Sequence, residues 1–547
     1  MFTQALRHNV VTSILPLSRW RMLAVFIASL TALPLLVLFI SLFSQQSDIW
    51  QHLYQYVLPE LLLNTFWLVL GVAFGSCVLG VLLAWLTVMV DFPGRKFFSW
   101  ALLLPMALPA YVLAFIAIGL LDFTGPLQTL LRDWFGSSAW FPRIRSRGGV
   151  IVVMTLAFYP YVYLLTRNAF LTQGKSALEA AQSLGLTRWQ AFYKVALPMA
   201  RPWIAGGVLL VIMETCADFG TVAAFNYDTF TTAIYKTWYG LFSLPAASQL
   251  ASILVLIILA LLLIEQFSRG RTRFSTSAKQ SASFTPQVLT GKSRWFAFAF
   301  CAFIWLIAFL IPVAQLAWWA AQHLADLDTR YFSFLWHSLL LAAMTALLVT
   351  FCALLLSYAN RRHPDPFMRI TTRLATLGYA LPGAVLAVGF FVPVAWLDNA
   401  LIATIKNITG IETKVFLQGT LLIMLTAYLV RFLAVGFNSV DAAMQRITPH
   451  IDDAARSLGL TPRSMLARVH LPMLRSGLAT AMALVFVDVM KEIPITLMTR
   501  PFGWDTLAVR IYSLTSEGQW EQAALPALAL VIAGIVPIIL LVNYTEK

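Results

Sequence analysis

Residues 178–187 read LEAAQSLGLT and residues 195–198 read VALP; nearly the same text returns as DAARSLGLT at 453–461 and VHLP at 469–472. Sliding one copy onto the other by 274 positions pairs Glu179 with Asp453, Ala180 with Ala454, Ala181 with Ala455 and Gly185 with Gly459. Leu197 and Pro198 then fall on Leu471 and Pro472. That shift is half of the 547-residue chain, which makes the chain a tandem duplication. Each copy reads as a short Ala-rich helix, a glycine at the helix end, Thr187 or Thr461 as the next N-cap, and a second short helix. Both copies lie between long apolar stretches and among Arg and Lys, so each is expected to be a polar elbow on one side of a membrane. Its small side chains let another protein approach the backbone, and its lone carboxylate offers a charge-assisted contact.

Composition sets the class. Apolar residues make up 60% of the chain and charged residues 11%, with a mean hydropathy of +0.78. No soluble globular protein has this balance, so the chain reads as a polytopic membrane protein in contact with lipid. The net charge of +14 is then the basic collar of its cytoplasmic loops and not a footprint for nucleic acid. Cys77, Cys216, Cys301 and Cys352 all fall in apolar segments without paired spacing, which indicates neither a disulfide framework nor a zinc site. Arg7, Arg19 and Arg21 precede an apolar run from Met22 to Phe43 that is too long for a signal-peptide core and reads as a retained first span.

With about 20 apolar residues needed per span, candidates lie at 22–43, 61–90, 98–121, 148–166, 201–226 and 248–266. A second set lies at 295–320, 333–358, 370–396, 416–436, 475–500 and 523–542. The fold expected is all-α, about twelve transmembrane helices in two homologous six-helix halves. The halves are 1–267 and 295–547, joined by a basic Ser- and Thr-rich tether at 268–294. Most of the 38 Lys and Arg then fall on the side of the N-terminus, and Lys491 is placed inside a span. Both termini are expected to be cytoplasmic. Gly71 and Gly75 suit close helix packing.

Catalytic chemistry is missing from the text. Gly-Lys-Ser occurs at 174–176 and 291–293, but the glycine a phosphate-binding loop needs five positions earlier is Ala169 or Pro286. No nucleophile elbow, zinc helix or redox pair is present, so neither a cofactor nor an enzymatic activity is expected. The ionisable groups inside the spans are of another kind. Glu214 and Asp218 lie four apart in one span, and the 274-residue shift maps them onto Asp488 and Glu492, beside Lys491. Charges at that depth cost about 2.5 to 3.5 kcal/mol each, so they face a bundle interior or a wet path. Two readings stay open: the four acids line a translocation path, or they lock helices through hydrogen bonds with Lys491 as a neutralising neighbour.

The paired elbows resemble the EAA loop of binding-protein-dependent ABC importer permeases. That resemblance implies a type I importer permease fold in which loops 178–198 and 452–472 dock on a cytoplasmic ABC ATPase dimer, which binds the ATP. Asp453 stands where the family usually has Glu. Around the acids, Asp218-Phe-Gly-Thr221, Lys491-Glu-Ile-Pro494 and Phe502-Gly-Trp-Asp-Thr-Leu-Ala508 look like the signatures of the fused permeases of ferric-iron importers. The resemblance implies a subunit of the bacterial inner membrane that takes Fe3+ from a periplasmic ferric-binding protein. A hard trivalent cation prefers oxygen ligands, which suits carboxylates. A fused permease for thiamine or another small solute is the alternative within the class. An ion-coupled secondary transporter would explain the acids but has no use for two docking loops.

Overall fold

The computed structural model describes residues 18–43, 48–268, 287–410 and 416–545. Its twelve principal helices are α1 (Arg19–Ser41), α2 (Leu58–Met89), α3 (Ala110–Leu121), α4 (Arg147–Ser183), α5 (Leu197–Ala217) and α6 (Leu244–Ser268) in the first half. The second half has α7 (Lys292–Gln322), α8 (Thr329–Arg362), α9 (Gly383–Thr409), α10 (Leu421–Gln445), α11 (Arg475–Met490) and α12 (Ala524–Thr545). Among the described residues, 10 helical stretches are long and apolar enough to cross a membrane. An eleventh is the pair Leu466–Met473 and α11, bent by 62°. The 22-residue α12 occupies the twelfth expected position.

Four expected spans are not continuous helices. The segments at 98–121 and 370–396 both break at Leu-Pro: Leu108 and Leu381 leave the helical region with ψ of 123° and 132°, and α3 and α9 start immediately after Pro109 and Pro382. A proline crowds the residue before it out of the α conformation and lacks the N–H that would continue the ladder. The segments at 201–226 and 475–500 break as well. There α5 and α11 end at Ala217 and Met490, and short helices Gly220–Ala224 and Pro494–Thr499 follow. The breaks match between halves, and their free backbone groups converge on one region.

In the first half α2 packs along α4 and α5; in the second, α8 packs along α10 and α11. Gly71 and Gly75 act as expected. A Cβ on them would lie 2.6 Å from Ile151 and 2.7 Å from Thr155, so any larger residue would force these side chains on α4 to shift. The halves also exchange their first helices. α1 lies against the second half, where Thr31 donates to the Ala375 carbonyl at 3.1 Å and Arg21 pairs with Asp365 at 2.7 Å. α7 lies against the first, through Phe298 on Phe98 and Trp305 on Phe97. Residues 269–286 of the expected tether lie outside the described residues; after them, Gln287–Val288 pairs in parallel with Val90–Asp91.

The two elbows are anchored differently. The first is the end of α4, which runs unbroken to Ser183 where a separate short helix was expected. The second is a separate helix, Pro449–Ser457, held by a clamp. Arg361 donates through Nε to Asp452 at 3.0 Å and through Nη1 to the carbonyls of Met444 and Ile447, and His470 Nε2 lies 2.8 Å from Asp452. The matching first-half positions hold Thr87, Leu178 and Ala196, which cannot form such a clamp. Burial pushes the Asp452 carboxyl up, but its bonds to His470 and Arg361 outweigh this and hold it below the usual range. A depressed carboxyl stabilises the fold above its unfolded value, about 3.9, and that contribution is lost as pH falls through the lower folded value. At neutral pH the clamp is fully formed. Asp452→Asn is therefore expected to loosen residues 449–465 by about 2 kcal/mol, the scale of a charged hydrogen bond. Amide hydrogen exchange checks this: faster exchange confined to the second elbow supports the clamp, and equal exchange in both variants refutes it.

Candidate functional site

The breaks in α3, α5 and α11 surround a cavity of about 140 Å³ where the two halves meet. Glu214, Asp218, Asp488 and Glu492 all line it, as do Tyr111, Tyr161, Tyr379 and Arg431. The sequence-derived pairing of acids across the halves is thus realised as one site. The surroundings of the four acids separate them into two kinds.

Asp218 and Glu492 carry the re-entrant turns. Asp218 accepts from the N–H groups of Thr221 and Val222 at 2.9 and 3.1 Å and from the Thr221 hydroxyl at 2.9 Å. Glu492 accepts from the N–H groups of Ile495 and Thr496 at 3.0 and 3.4 Å. Each carboxylate thereby satisfies N–H groups that a helix start leaves without intrahelical partners. Glu214 and Asp488 have no such duty. Glu214 accepts from the Tyr379 hydroxyl at 3.1 Å, and Asp488 pairs with Lys491 at 2.8 Å.

Depth separates the same two pairs. α5 and α11 run from the elbows toward the cavity, so Glu214 and Asp488 lie one turn nearer the elbows than Asp218 and Glu492. In that nearer layer the side chains of Asp488 and Lys491 are 22% and 34% exposed; in the farther layer Glu492 and Arg431 are 5% and 13% exposed. In the second half the nearer pair is thus more exposed than the farther one.

Arg431 is a cavity residue that the sequence reading passed over, although it falls inside the expected span 416–436. It lies inside α10, 4.0 Å from Glu492, and donates to the Leu381 carbonyl at the break before Pro382. An arginine in the middle of an apolar run is itself a signal of function. Tyr111, Tyr161 and Tyr379 had no comparable signal, since aromatic residues are common in membrane helices. Among the described residues no group of three or more His, Cys, Asp or Glu is placed to hold a metal ion.

At the elbows, Gly185 and Gly459 have φ of +85° and +76°, a left-handed turn that disfavours any side chain. Leu186 and Leu460 donate back to the carbonyls of Ala181 and Ala455 at 3.1 Å, closing both helix ends alike. Thr187 and Thr461 cap the short helices that come next, accepting from Gln190 and Ser464 N–H groups at 3.4 and 3.3 Å. Ala181 and Ala455 are buried under the turn, while Ala454 and Asp453 are exposed, Asp453 beside Arg456. The side chains of Glu179 and Ala180 lie outside the described residues. Leu197 and Pro198 open α5, and Leu471 and Pro472 open the short turn Leu471–Met473 that leads into α11. One feature was missed by the sequence reading: Leu184 and Leu458, related by the repeat, are 83% and 82% exposed at the two tips.

Residues 76–273 and 350–546 each match the family model described as the binding-protein-dependent transport system inner membrane component, and together they cover more than half of the chain. The chain belongs to this family. This inner membrane component is similar to the Fe(3+)-transport system permease protein FbpB 2 of Haemophilus influenzae, 27% identical over 90% of this chain and 91% of the relative. It is also similar to the ferric transport system permease protein FbpB of Actinobacillus pleuropneumoniae, 23% identical over 73% of this chain and 58% of that protein. A third relative is the molybdenum transport system permease protein ModB of Escherichia coli, 30% identical over 35% of this chain and 82% of its own length. The inner membrane component is thus an all-α, multi-pass permease built of two repeated halves.

Proposed function

We propose that this chain is the permease subunit of an importer that carries ferric iron across the bacterial inner membrane. A periplasmic binding protein delivers the ion to the side of the cavity away from the elbows, and a separate cytoplasmic ATPase dimer docks on the elbows at 178–198 and 452–472, with both chain termini on the elbow side. The chain itself has no ATP site. The observation that carries this reading is the cavity, where four carboxylates outnumber two bases at the meeting of the halves. Such a lining favours a cation and disfavours an oxyanion. The relatives named for ferric transport also extend along most of the chain, whereas the one named for molybdenum covers about a third of it.

In this reading the acids supply field and oxygen donors in passing, without a resting chelate. The matched breaks in α5 and α11 supply hinges through which motion at the elbows reaches the acids, because each of these helices runs from an elbow to the cavity. The test is reconstitution of the chain with its ATPase and binding protein in vesicles, followed by uptake of radioactive ferric iron. Uptake is expected to require all three components and ATP, with molybdate and thiamine left outside. Accumulation of either solute in place of iron would overturn the substrate assignment.

A further inference from the structure

Both bases of the cavity belong to the second half. The repeat carries Lys491 onto Ala217 and Arg431 onto Ala157, so duplication supplies each carboxylate pair twice and each base once. Lys491 follows the last residue of α11, where the helix dipole adds to the attraction of the acids for a cation. Its ammonium is 2.8 Å from Asp488, and its further electrostatic neighbours are Tyr161 and Glu214 of the first half. It therefore stands among the groups that face each other from the two halves. With a third of its side chain exposed, it remains in contact with the cavity.

Deeper in, the lining has oxygens to spare. Among the described residues, Glu492 Oε1 and Tyr111 Oη have no hydrogen-bond partner, although both residues are less than one-tenth exposed. Arg431 does not neutralise this layer fully: its nearest approach to Glu492 is 4.0 Å, and its guanidinium is held by the Leu381 carbonyl. The nearer layer is different, because there a flexible cation sits directly on the acid.

We infer that Lys491 is a tethered counter-ion that fills the cation site at Asp488 and Glu214 between transport events, so that an arriving ion must displace it. This rests on the cation-path reading above and names its specificity-determining residue. The physical basis is competition between charges for the same carboxylates. A tethered ammonium brings one charge at very high local concentration, a divalent ion two and a trivalent ion three, and Coulomb attraction scales with that charge. Discrimination is thereby by charge, and the abundant monovalent and divalent ions are held off. Arg431 cannot serve in the same way, since its planar fork is committed to a backbone carbonyl.

The experiment titrates the purified full-length chain with Mn2+ and with Tb3+, whose luminescence Tyr161 and Tyr379 are placed to sensitise. Lys491→Met is expected to bind Mn2+ at least tenfold more tightly than the unmodified chain and to narrow the preference for Tb3+. Lys491→Arg, which keeps the charge, should bind like the unmodified chain, and Lys491→Met with Asp488→Asn should lose the gain. Unchanged Mn2+ affinity in a well-folded Lys491→Met chain overturns the counter-ion assignment, as does an arginine variant that behaves like the methionine one. Iron uptake by Asp488→Asn vesicles distinguishes failure of the counter-ion from failure of the path. If uptake falls while Lys491→Met leaves binding unchanged, the path stands and only the counter-ion fails; if neither changes, the path reading fails as well.

Discussion

Neutralising Glu214 and Asp488 together is expected to lower ferric-iron uptake at least tenfold while membrane abundance and ATP hydrolysis stay normal. These two acids form the layer of the cavity nearer the elbows and cap no helix start: Glu214 accepts from the Tyr379 hydroxyl, and Asp488 pairs with Lys491. Glu214→Gln with Asp488→Asn keeps size and hydrogen-bonding capacity but removes two charges. At an effective dielectric of about 20, a unit charge near 4 Å contributes about 4 kcal/mol per charge of the passing ion, so even a well-screened fraction exceeds a tenfold effect. Their repeat neighbours should behave differently. Asp218→Asn and Glu492→Gln weaken charge-assisted bonds to the N–H groups of Thr221, Val222, Ile495 and Thr496, and are expected to cost about 1 to 2 kcal/mol of stability each. The measurement is uptake of radioactive iron into vesicles beside binding-protein-stimulated ATP hydrolysis. Hydrolysis without uptake supports the path; uptake at the unmodified rate in the Glu214 and Asp488 double variant removes it.

Replacing Leu184 and Leu458 together with serine is expected to release the ATPase from the permease. Both side chains are more than four-fifths exposed at the elbow tips, and the repeat places them identically. An apolar side chain so exposed on a rigid turn gains by burial in a partner. Full burial of a leucine is worth about 1.5 to 3 kcal/mol, so loss of both weakens association by about two to four powers of ten. The elbows themselves should keep their shape, because the glycine turns and threonine caps do not involve these side chains. Co-purification of the ATPase with the double serine variant, beside an unchanged melting temperature, is the readout. Retention of the ATPase at the unmodified level would show that the tips do not dock.

Much of this was legible in one dimension. Membrane class, the duplication, the glycine turns and the threonine caps are local properties, set by composition, spacing and the conformations single residues allow. The four acids could be found because a spacing of four puts a pair on one helix face and the repeat marks the pair twice. The Leu-Pro steps at Leu108 and Leu381 were also in view, yet the span reading passed over them, because hydropathy averages across a break that only the backbone rule for proline detects.

The remainder depends on segments far apart in the chain. Nothing near Glu214 in sequence announces Tyr379, 165 residues away, and nothing near Leu381 announces that Arg431 will cover its carbonyl. Whether an acid caps a turn or faces a cavity is decided by which backbone N–H groups the fold brings to it; by sequence pattern Asp218 and Glu214 are equivalent, and by hydrogen bonding they are not. The exchange of α1 and α7 between halves, the clamp on the second elbow and the uneven exposure of the cavity's charged groups have the same origin. Each is a balance of long-range contacts and burial, and burial has no value until the chain has folded around the group.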